Sequence, residues 1–480
     1  MPSASCDGTT TPPPERRSSR RSLSTDKTFH IVHLGCAKNL YDAELMAGAL
    51  VNAGWRESAD PEGAQAILIN SCGFIEAAIS ESVETVLEYT AGYPDSAVVM
   101  TGCLAQRYPE QIAMEIPELA GVFGNRRPEA IPQFLSRVAG PSAPRRPSGK
   151  PTFWDAPPGD PDWRHRTALR PTLYTPAGTA YVKIAEGCTH NCAFCAIPQI
   201  RGTLRSRSVD AVVREVEDLL SRGIREINLI AQDLSILGLE EGRRDFLPLL
   251  ERISELPGHF WVRLLYIYPE HFPRQLLSIC RRDPRILPYF DLPIQHADPG
   301  VLEAMGRPAT PERTLETLDR IRSQLPDSVI RTTFLVGFPG EDQAAFDTLL
   351  AFQAAARFDW MGAFVYSPQE GTAGYDLCRG PGAVARELAE ERAQALYRRQ
   401  ESITTEGLSR FVGRVQELLV EEPVIGEDLY FARGAMQAPE VDGTVVLSAP
   451  EGSLTPGSFV SARITGVDGY DLRARPAVKP

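Results

Sequence analysis

The sequence predicts an α/β protein of three domains: a parallel sheet covered by helices, a partial (β/α)6 barrel, and a small antiparallel β-barrel of the OB-like kind. Three observations carry this prediction. From residue 29, short apolar runs alternate with amphipathic stretches, which is typical of βα units. Six further strand-like runs, separated by helical patterns, lie between residues 181 and 368. The last part of the chain has short strand-like runs between Gly, Pro and acidic residues.

Changes in composition indicate the domain boundaries. Residues 1–27 hold almost no apolar side chains and predict a disordered tail, whose arginines could touch RNA but are more typical of a solvated segment. Residues 141–176 are crowded with Pro and Gly, which indicates a linker. We therefore expect the first domain at 28–140, the barrel at 177–408 and the last domain at 409–480.

The barrel prediction depends on six apolar runs, at 181–187, 226–233, 261–269, 289–295, 329–338 and 361–368. Most of them are followed by a stretch with apolar residues three or four positions apart, the spacing of an amphipathic helix. Six units are fewer than the eight of a closed TIM barrel, so the barrel is expected to be partial. A charged helix from Val384 to about Leu408 is expected to end the domain.

Composition excludes several classes of protein. Hydrophobic residues make up 43% of the 480 residues and charged residues 23%, which is typical of a globular chain and not of a disordered or collagen-like one. No apolar run approaches the roughly 18 residues of a membrane-spanning helix, and the N-terminal segment lacks the apolar core of a signal peptide. We expect a cytoplasmic protein with no membrane partner. The net charge of −12 disfavours a general affinity for nucleic acid.

Three of the nine cysteines form a compact motif directly after the first predicted barrel strand. Cys188, Cys192 and Cys195 are spaced by three residues and then by two. Three thiolates so close together can hold an iron–sulfur cluster and leave one iron open, whereas a closed zinc site needs a fourth ligand. His190 could supply that ligand, so a zinc loop is the alternative. The position favours the open cluster, because barrel enzymes carry their chemistry at the carboxyl ends of their strands.

A second set of cysteines lies in the first domain. Cys36, Cys72 and Cys103 each follow a predicted strand. Ligands of a parallel sheet gather outside the carboxyl ends of its strands, so these thiols are expected to converge on a second cluster. The alternative is that they are small buried hydrophobes. The remaining cysteines fit neither set and are interpreted as structural or incidental: Cys6, Cys280 and Cys378.

These motifs resemble those of a known family. Cys188-x3-Cys192-x2-Cys195, with Phe194 inside it, resembles the radical S-adenosylmethionine (radical SAM) signature. The turns around the first-domain cysteines resemble those of the methylthiotransferases, and the last domain is similar to a TRAM barrel. The resemblance implies two [4Fe–4S] clusters, one on each cysteine set, and SAM chelated by the open iron through its amino and carboxylate groups. It also implies that one-electron reduction splits SAM to a 5′-deoxyadenosyl radical.

The turn Asn70-Ser71-Cys72-Gly73-Phe74-Ile75 is closer to the RimO branch of this family than to the MiaB branch, which usually continues after this cysteine with Arg-Glu. The RimO resemblance implies transfer of a methylthio group to the β-carbon of an aspartate in small-subunit ribosomal protein S-twelve, with an electron donor such as flavodoxin or ferredoxin. One departure is Ala37, where RimO-like sequences commonly have proline. A MiaB-like tRNA adenosine methylthiotransferase is the nearest alternative, and a non-catalytic metal-binding adaptor is a more distant one.

Such chemistry needs no acid–base side chain, because the C–H bond at the β-carbon is far too weak an acid for one. We therefore predict no catalytic acid or base. Residues near the cluster loop and the strand ends are instead predicted to contact SAM or the substrate: Phe194, Ile197, Gln232, Asp233, Gln295 and Gly337. Each has a plainer interpretation as a packing, capping or turn residue.

Charge in the last domain favours a protein substrate. Between residues 411 and 471, three arginines stand against ten acidic residues, a balance of 3 − 10 = −7. A module that binds tRNA is expected to be basic, because phosphate contacts supply most of its affinity. An acidic module suits a basic ribosomal protein, so tRNA is the less favoured partner. The alternative is that these acids only keep the domain soluble.

Overall fold

The computed structural model describes residues 27–140, 151–154, 163–166, 170–307 and 309–477. Three main sheets follow one another along these residues in the predicted order: a six-stranded parallel sheet, a six-stranded partial barrel and a closed five-stranded barrel. Nearly all of the predicted N-terminal tail, including Cys6, falls outside the described residues. None of the described helices is long and apolar enough to cross a membrane.

The first domain is a parallel sheet with helices on its faces. Its strands are β1 (Thr28–His33), β2 (Arg56–Glu57), β3 (Ala66–Ser71), β4 (Ala97–Thr101), β5 (Gly121–Gly124) and β6 (Thr152–Trp154). Its helices are α1 (Ala37–Asn52), α2 (Glu76–Gly92), α3 (Gly102–Arg107), α4 (Pro109–Glu115) and α5 (Ile131–Val138). The strand order is β2-β1-β3-β4-β5-β6. Every side chain of β3 is buried, as expected for a central parallel strand covered on both faces.

The first sheet extends into the segment interpreted from its composition as a linker. β6 pairs in parallel with β5, with Phe153 opposite Val122. Trp154 packs against Phe123 and Phe134. The segment therefore contributes an edge strand, contrary to that interpretation. Three residues are too few to show an alternating pattern, and proline-rich surroundings are compatible with an edge strand.

The second sheet confirms the predicted partial barrel. Its strands are β7 (Thr179–Lys183), β10 (Glu226–Ile230), β11 (Trp261–Leu265), β12 (Ile286–Gln295), β13 (Val329–Val336) and β14 (Trp360–Val365), while β8 (Ala185–Glu186) and β9 (Arg205–Ser206) form a short separate ribbon. The six strands are parallel and lie in the order β14-β13-β12-β11-β10-β7. The two ends of this sheet, β14 and β7, do not pair, so the barrel stays open.

Helices cover the outside of the barrel. They are α6 (Ile197–Arg201), α7 (Val209–Ser221), α8 (Phe246–Ser254), α9 (Leu276–Arg282), α10 (Pro299–Ala304), α11 (Pro311–Gln324), α12 (Gln343–Ala356), α13 (Ala373–Leu377) and α14 (Arg386–Ser409). The side chains of Ser208, Asp298, Thr310 and Asp342 accept backbone N–H groups at the starts of α7, α10, α11 and α12. Such caps satisfy donors that have no partner within the helix. The predicted charged helix is α14.

The last domain is a closed barrel of β15 (Val415–Pro423), β16 (Leu429–Gly434), β17 (Val445–Ser448), β18 (Phe459–Asp468) and β19 (Asp471–Pro476). The strands close in the order β15-β16-β17-β19-β18. The prediction of an antiparallel barrel holds for four of the five pairings, but β17 and β19 run parallel. The reason is geometric, because strand direction cannot alternate around a ring with an odd number of strands.

A buried ion-pair group joins this last barrel to the amino-terminal ends of the partial-barrel strands. Arg433 of β16 lies 2.5 Å from Glu226 of β10, and Arg263 of β11 lies 2.8 Å from the same carboxylate. All three side chains are at most 3% exposed. The two arginines lower the pKa of Glu226 to about 2 against the opposing effect of burial. Glu226 is therefore a buried carboxylate with two cationic partners from two domains.

Loss of Arg433 is expected to destabilise this interface. Arg433→Met leaves Glu226 with one of its two cations, and breaking a buried ion pair typically costs about 3–5 kcal/mol. The midpoint of urea unfolding should therefore fall clearly. Arg463→Met, which alters an exposed arginine of the same barrel, is the matched control and should change the midpoint little. Equal unfolding midpoints for the two variants would contradict the stabilising role of Arg433 at this interface.

Candidate functional site

The radical SAM-like cysteines lie in a loop between β8 and α6. The N–H of His190 donates to Sγ of Cys188 at 3.4 Å, and the N–H of Ile197 hydrogen-bonds to Cys195. The loop is tied to the barrel by a 2.9 Å bond from the N–H of Ala193 to the carbonyl of Met305. Burial raises the pKa of the Cys195 thiol to about 12. A thiol with this pKa is protonated at neutral pH, so binding a metal centre would release its proton to solvent.

The first-domain cysteines lie after three neighbouring strands, as predicted. Cys36 follows β1 and forms the N-cap position of α1, Cys72 follows β3, and Cys103 lies in α3 directly after β4. These three strands are adjacent in the sheet. The turns touch, because a Cβ atom placed on Gly73 would lie 2.7 Å from the backbone of Leu104. The sheet thus brings the three thiols to one edge.

The three first-domain thiols differ in environment. Cys103 is buried and receives hydrogen bonds from Asn125 at 3.4 Å and from Arg201 at 3.2 Å. Burial raises the pKa of Cys72 to about 11. Cys36 is exposed to solvent; its crowded surroundings oppose ionisation, but the cations Lys38 and Arg201 lower the pKa of its thiol. These donors and cations suit anionic sulfur ligands, which a cluster requires.

The spacing of the sulfur atoms tests the zinc alternative. A single zinc ion with Zn–S bonds of about 2.3 Å would draw its sulfur ligands to about 3.8 Å from one another. All six cysteines belong to the described residues, and in neither set do the three Sγ atoms all lie within 4.8 Å of one another. Neither set is therefore arranged as three ligands of one zinc ion.

The proposed fourth zinc ligand is already engaged. Nε2 of His190 lies 2.9 Å from Oδ2 of Asp233, and its ring stacks on Tyr268 with centroids 4.1 Å apart. His271 also lies close, so that ligand atoms of His190, Asp233 and His271 fall within 4.8 Å of one another. The second oxygen of Asp233 accepts hydrogen bonds from Ser235 at 2.6 and 2.9 Å. Asp233 therefore orients two imidazole rings beside the cluster loop.

Two predicted cofactor contacts lie at the end of β10. Gln232 donates to Glu186 at 3.3 Å, while its buried Oε1 has no hydrogen-bond partner among the described residues. Such an orphaned acceptor fits an incoming donor, such as the amino group of SAM. Asp233 is buried and its pKa is strongly lowered; burial opposes this, but the hydrogen bonds with His190 and Ser235 and the nearby His271 ring outweigh it. Its carboxylate faces the cluster loop through His190.

The other predicted contacts are more dispersed. Phe194 packs against an apolar group that includes Met305 and Phe338, and Ile197 begins α6. Gln295 ends β12 with φ of 74°, a left-handed conformation that is uncommon for a residue with a side chain. Strain of this kind is frequent at functional sites. The structure brings the cysteine loop and the β10 end together, and places Gln295 at the end of another barrel strand.

The structure gives Gly337 a packing explanation. Its φ is 80°, and a Cβ atom there would lie 2.5 Å from the Cβ of Ala389 in α14. Its N–H donates to Glu341 at 2.7 Å. The glycine is thus required by the close approach of a helix, and its amide already has a partner. Contact of this turn with SAM stays a prediction.

A group of buried charges that sequence reasoning missed connects the two cysteine sets. Arg201, on the helix that follows Cys195, donates to Sγ of Cys103 and to Asp42 of α1 at 2.9 Å. Lys183 also binds Asp42, and Glu186 lies 2.5 Å from Lys183 and 3.0 Å from Arg201. The sequence contained one indication of this buried charge group, because Lys183 interrupts the apolar run of the first barrel strand.

A second buried group lies alongside it. Arg170 pairs with Glu44 of α1 and, at 2.5 Å, with Glu215 of α7, and Arg207 lies 2.6 Å from Glu215. Arg170 belongs to the segment interpreted as a linker. Arg307 was missed as well; its guanidinium lies 3.7 Å from the centroid of the Tyr268 ring that supports His190. No local pattern marks these residues, because their partners are far away in sequence.

Comparison with known proteins agrees with this arrangement. Residues 28–124 match the Uncharacterized protein family UPF0004, residues 182–352 the Radical SAM superfamily and residues 412–476 the TRAM domain. A protein of Sorangium cellulosum (strain So ce56) named Ribosomal protein uS12 methylthiotransferase RimO is 39% identical, over 93% of this chain and 90% of its own. The chain belongs to the RimO family. A RimO protein of Carboxydothermus hydrogenoformans is 34% identical, over 93% of this chain and 98% of its own.

A solved structure supports the fold. The radical S-adenosylmethionine methyltransferase TsrM from Kitasatospora setae aligns with a TM-score of 0.53 and 15% identity, covering 74% of this chain and 79% of that one. At that identity, the likeness concerns architecture alone. Membership of the RimO family makes this chain a radical SAM methylthiotransferase. The family implies a [4Fe–4S] cluster and SAM as cofactors.

The charge group around Asp42 is expected to be essential for docking the RimO N-terminal domain. Asp42→Asn leaves two buried cations to share Glu186, which should destabilise the protein by about 3 kcal/mol or more. Urea unfolding and limited proteolysis between the first two domains would measure this. Asp95→Asn, at an exposed aspartate of the same domain, is the control. Wild-type stability of the Asp42 variant would contradict the assigned role.

Proposed function

We propose that this RimO-family enzyme transfers a methylthio group to the β-carbon of an aspartate in ribosomal protein uS12. The observation that carries the proposal is similarity along almost the entire chain to proteins named uS12 methylthiotransferases. The proposed site of action is the cytoplasm, either on free uS12 or on the small ribosomal subunit. Flavodoxin or ferredoxin is the proposed class of electron donor.

The two cysteine sets have different proposed roles. Cys188, Cys192 and Cys195 would hold the cluster that binds and reductively cleaves SAM, which supplies the radical needed to break an unactivated C–H bond. Cys36, Cys72 and Cys103 would hold a second [4Fe–4S] cluster that carries the sulfur to be methylated. Backbone N–H donors to Cys188 and Cys195 support the first assignment. Arg201, between the sets, would balance negative charge at Cys103.

Residues around the cluster loop would position SAM. The free Oε1 of Gln232 would accept a hydrogen bond from it, and Phe194 and Ile197 would pack beside the loop. Asp233 would act through His190, which it holds at 2.9 Å. Gln295 and the Gly337 turn are proposed as the outer boundary of the site. These residues would bind SAM and would exclude water from the site. None of them is required as an acid or base, because a radical carries out the difficult step.

The surface of the last barrel supports a basic protein substrate over tRNA. Arg433 is buried against Glu226, so it adds nothing to the surface charge. Between residues 411 and 477, four arginines are exposed, Arg414, Arg463, Arg473 and Arg475, against six exposed acids: Glu422, Glu427, Asp428, Glu440, Glu451 and Asp468. The hairpin between β15 and β16 also exposes Ile425, at 92%. An acidic, partly apolar tip fits a basic protein better than a phosphate backbone.

The cluster assignments predict separable iron contents. After anaerobic reconstitution, wild-type protein should hold about eight irons, and alanine substitution of either complete cysteine set should leave about four. Cys192→Ala should also abolish SAM cleavage. Iron and sulfide analysis with assay of 5′-deoxyadenosine would measure both. Cys280→Ala, in a buried cysteine of the barrel core, is the control and should keep all the iron. Normal SAM cleavage by Cys192→Ala would refute the assignment.

The substrate is tested by offering uS12 and bulk tRNA in parallel. Reconstituted enzyme with SAM, sulfide and reductant should add a methylthio group to an aspartate-containing peptide of uS12, located by mass spectrometry. The Cys192→Ala protein is the control for radical dependence. A methylthio-adenosine in the tRNA digest with unmodified uS12 would replace the proposal by the MiaB-like function.

A further inference from the structure

Lys38 occupies a distinctive position between the two cysteine sets. It lies in the first turn of α1, two residues after Cys36. Its Nζ donates to the carbonyl of Ala231 at 3.3 Å, at the end of β10 next to Gln232. The same ammonium lies 3.5 Å from the centroid of the Tyr266 ring, which follows β11. Lys38 thus reaches from the first domain to the mouth of the barrel.

Lys38 is a cation at the mouth of the barrel without a carboxylate partner. Within the described part of the chain, no carboxylate oxygen lies within 4.0 Å of its Nζ. Several other cations inside the barrel or at its mouth do have such a partner: Lys183, Arg201, Arg263, Arg307, Arg331 and Arg392. The nearby acids are already engaged, Asp291 with Arg331 at 3.3 Å and Glu186 with Lys183 and Arg201.

A cation held in a half-buried position without an anion is costly, because protein groups replace little of its hydration. The carbonyl and the ring that contact Lys38 offset part of this cost but supply no negative charge. The backbone of Tyr266 has a φ of 71°, which is an uncommon conformation for a residue that bears a side chain. The surroundings hold the ammonium beside the Cys36 thiol with no carboxylate in contact, which leaves the ammonium able to bind a carboxylate from a ligand.

The strand whose end Lys38 contacts carries another open polar group. Asn228 lies on β10, and neither its Oδ1 nor its Nδ2 has a partner among the described residues, although the side chain is fully buried. It shares a strand face with Glu226, which points into the barrel toward Arg263. A buried amide with all its hydrogen-bonding capacity unused indicates a place for a polar ligand.

We propose that Lys38 binds the side-chain carboxylate of the substrate aspartate. This inference rests on the proposed function and names the residue that recognises the target side chain. The carboxylate is bonded directly to the β-carbon, so a cation between the cysteine sets would hold that carbon between the site of radical generation and the site of sulfur delivery. An adenosine substrate has no carboxylate, so Lys38 also serves discrimination against tRNA.

SAM also carries a carboxylate, but the open iron of the radical SAM cluster is the expected partner of that group. Lys38 lies instead beside Cys36 of the other set. The experiment therefore measures the two ligands separately. Binding of SAM and of uS12 is compared for wild-type holoenzyme, Lys38→Met and Lys38→Arg, without reductant so that no turnover occurs. Lys27→Met, at an exposed lysine of the same domain, is the matched control.

The decisive probe is a pair of uS12 proteins, one natural and one with the modified aspartate replaced by asparagine. Wild-type enzyme should bind the aspartate form roughly ten- to hundredfold more tightly, as expected for a hydrogen bond between charged groups. Lys38→Met should lose this preference, and Lys38→Arg should retain part of it. SAM affinity and iron content should stay at the wild-type values in both variants.

Three outcomes would overturn the proposal. Equal binding of both uS12 forms by the wild-type enzyme would overturn the proposal on its own, without data from any lysine variant. If Lys38→Met weakens the binding of both uS12 forms by the same factor, the role of Lys38 is structural. Weaker SAM binding with an intact aspartate preference would assign the bound carboxylate to SAM. Failure of the proposed function is distinguishable, because it would appear as unmodified uS12 with wild-type enzyme under turnover conditions.

Discussion

Two buried ion-pair groups hold helix α1 of the first domain against the barrel, and the arrangement of the site depends on them. Asp42 binds Lys183 and Arg201, while Glu44 binds Arg170. Buried charges are stable only when their partners are in place, so this contact is specific in a way that an apolar contact is not. The carboxyl edge of the first sheet is thereby set opposite the carboxyl ends of the barrel strands, where Cys103 packs against Ala196 and Ile200, which follow the other cysteine set.

The other end of the barrel is closed by the same physical means. Glu226 lies between Arg263 of its own domain and Arg433 of the last domain. Apolar contacts surround this group, with Trp261 and Leu287 of the barrel packed in one cluster with the core of the last domain. The partial barrel therefore has charged contacts at both ends, and inside it the buried side chain of Asn228 has no partner among the described residues.

Local patterns were sufficient to predict the order of the domains, the six barrel strands and the positions of the cysteines at strand ends. These features follow from periodicity and from short motifs, which the sequence displays directly. The strand at Thr152–Trp154 was missed because it is short and lies among prolines. The partners of Asp42, Arg201 and Lys38 could not be predicted, because they join residues far apart in sequence. Gly337 was predicted to contact SAM or the substrate, whereas the constraint that the structure shows on it is the helix packed against it.

The N-terminal half of helix α1 and the residue before it carry side chains with several different roles. Cys36 precedes it, Lys38 reaches the barrel, and Asp42 and Glu44 enter the two charge groups. These residues share one rigid element, so a shift of the helix would displace a proposed cluster ligand, a cation and two docking acids together. Evolution of a new substrate range within this architecture is therefore easier through the last barrel than through the first domain. A chimera that exchanges the first domain would need the matching barrel residues, Lys183, Arg201 and Arg170, to be transferred with it.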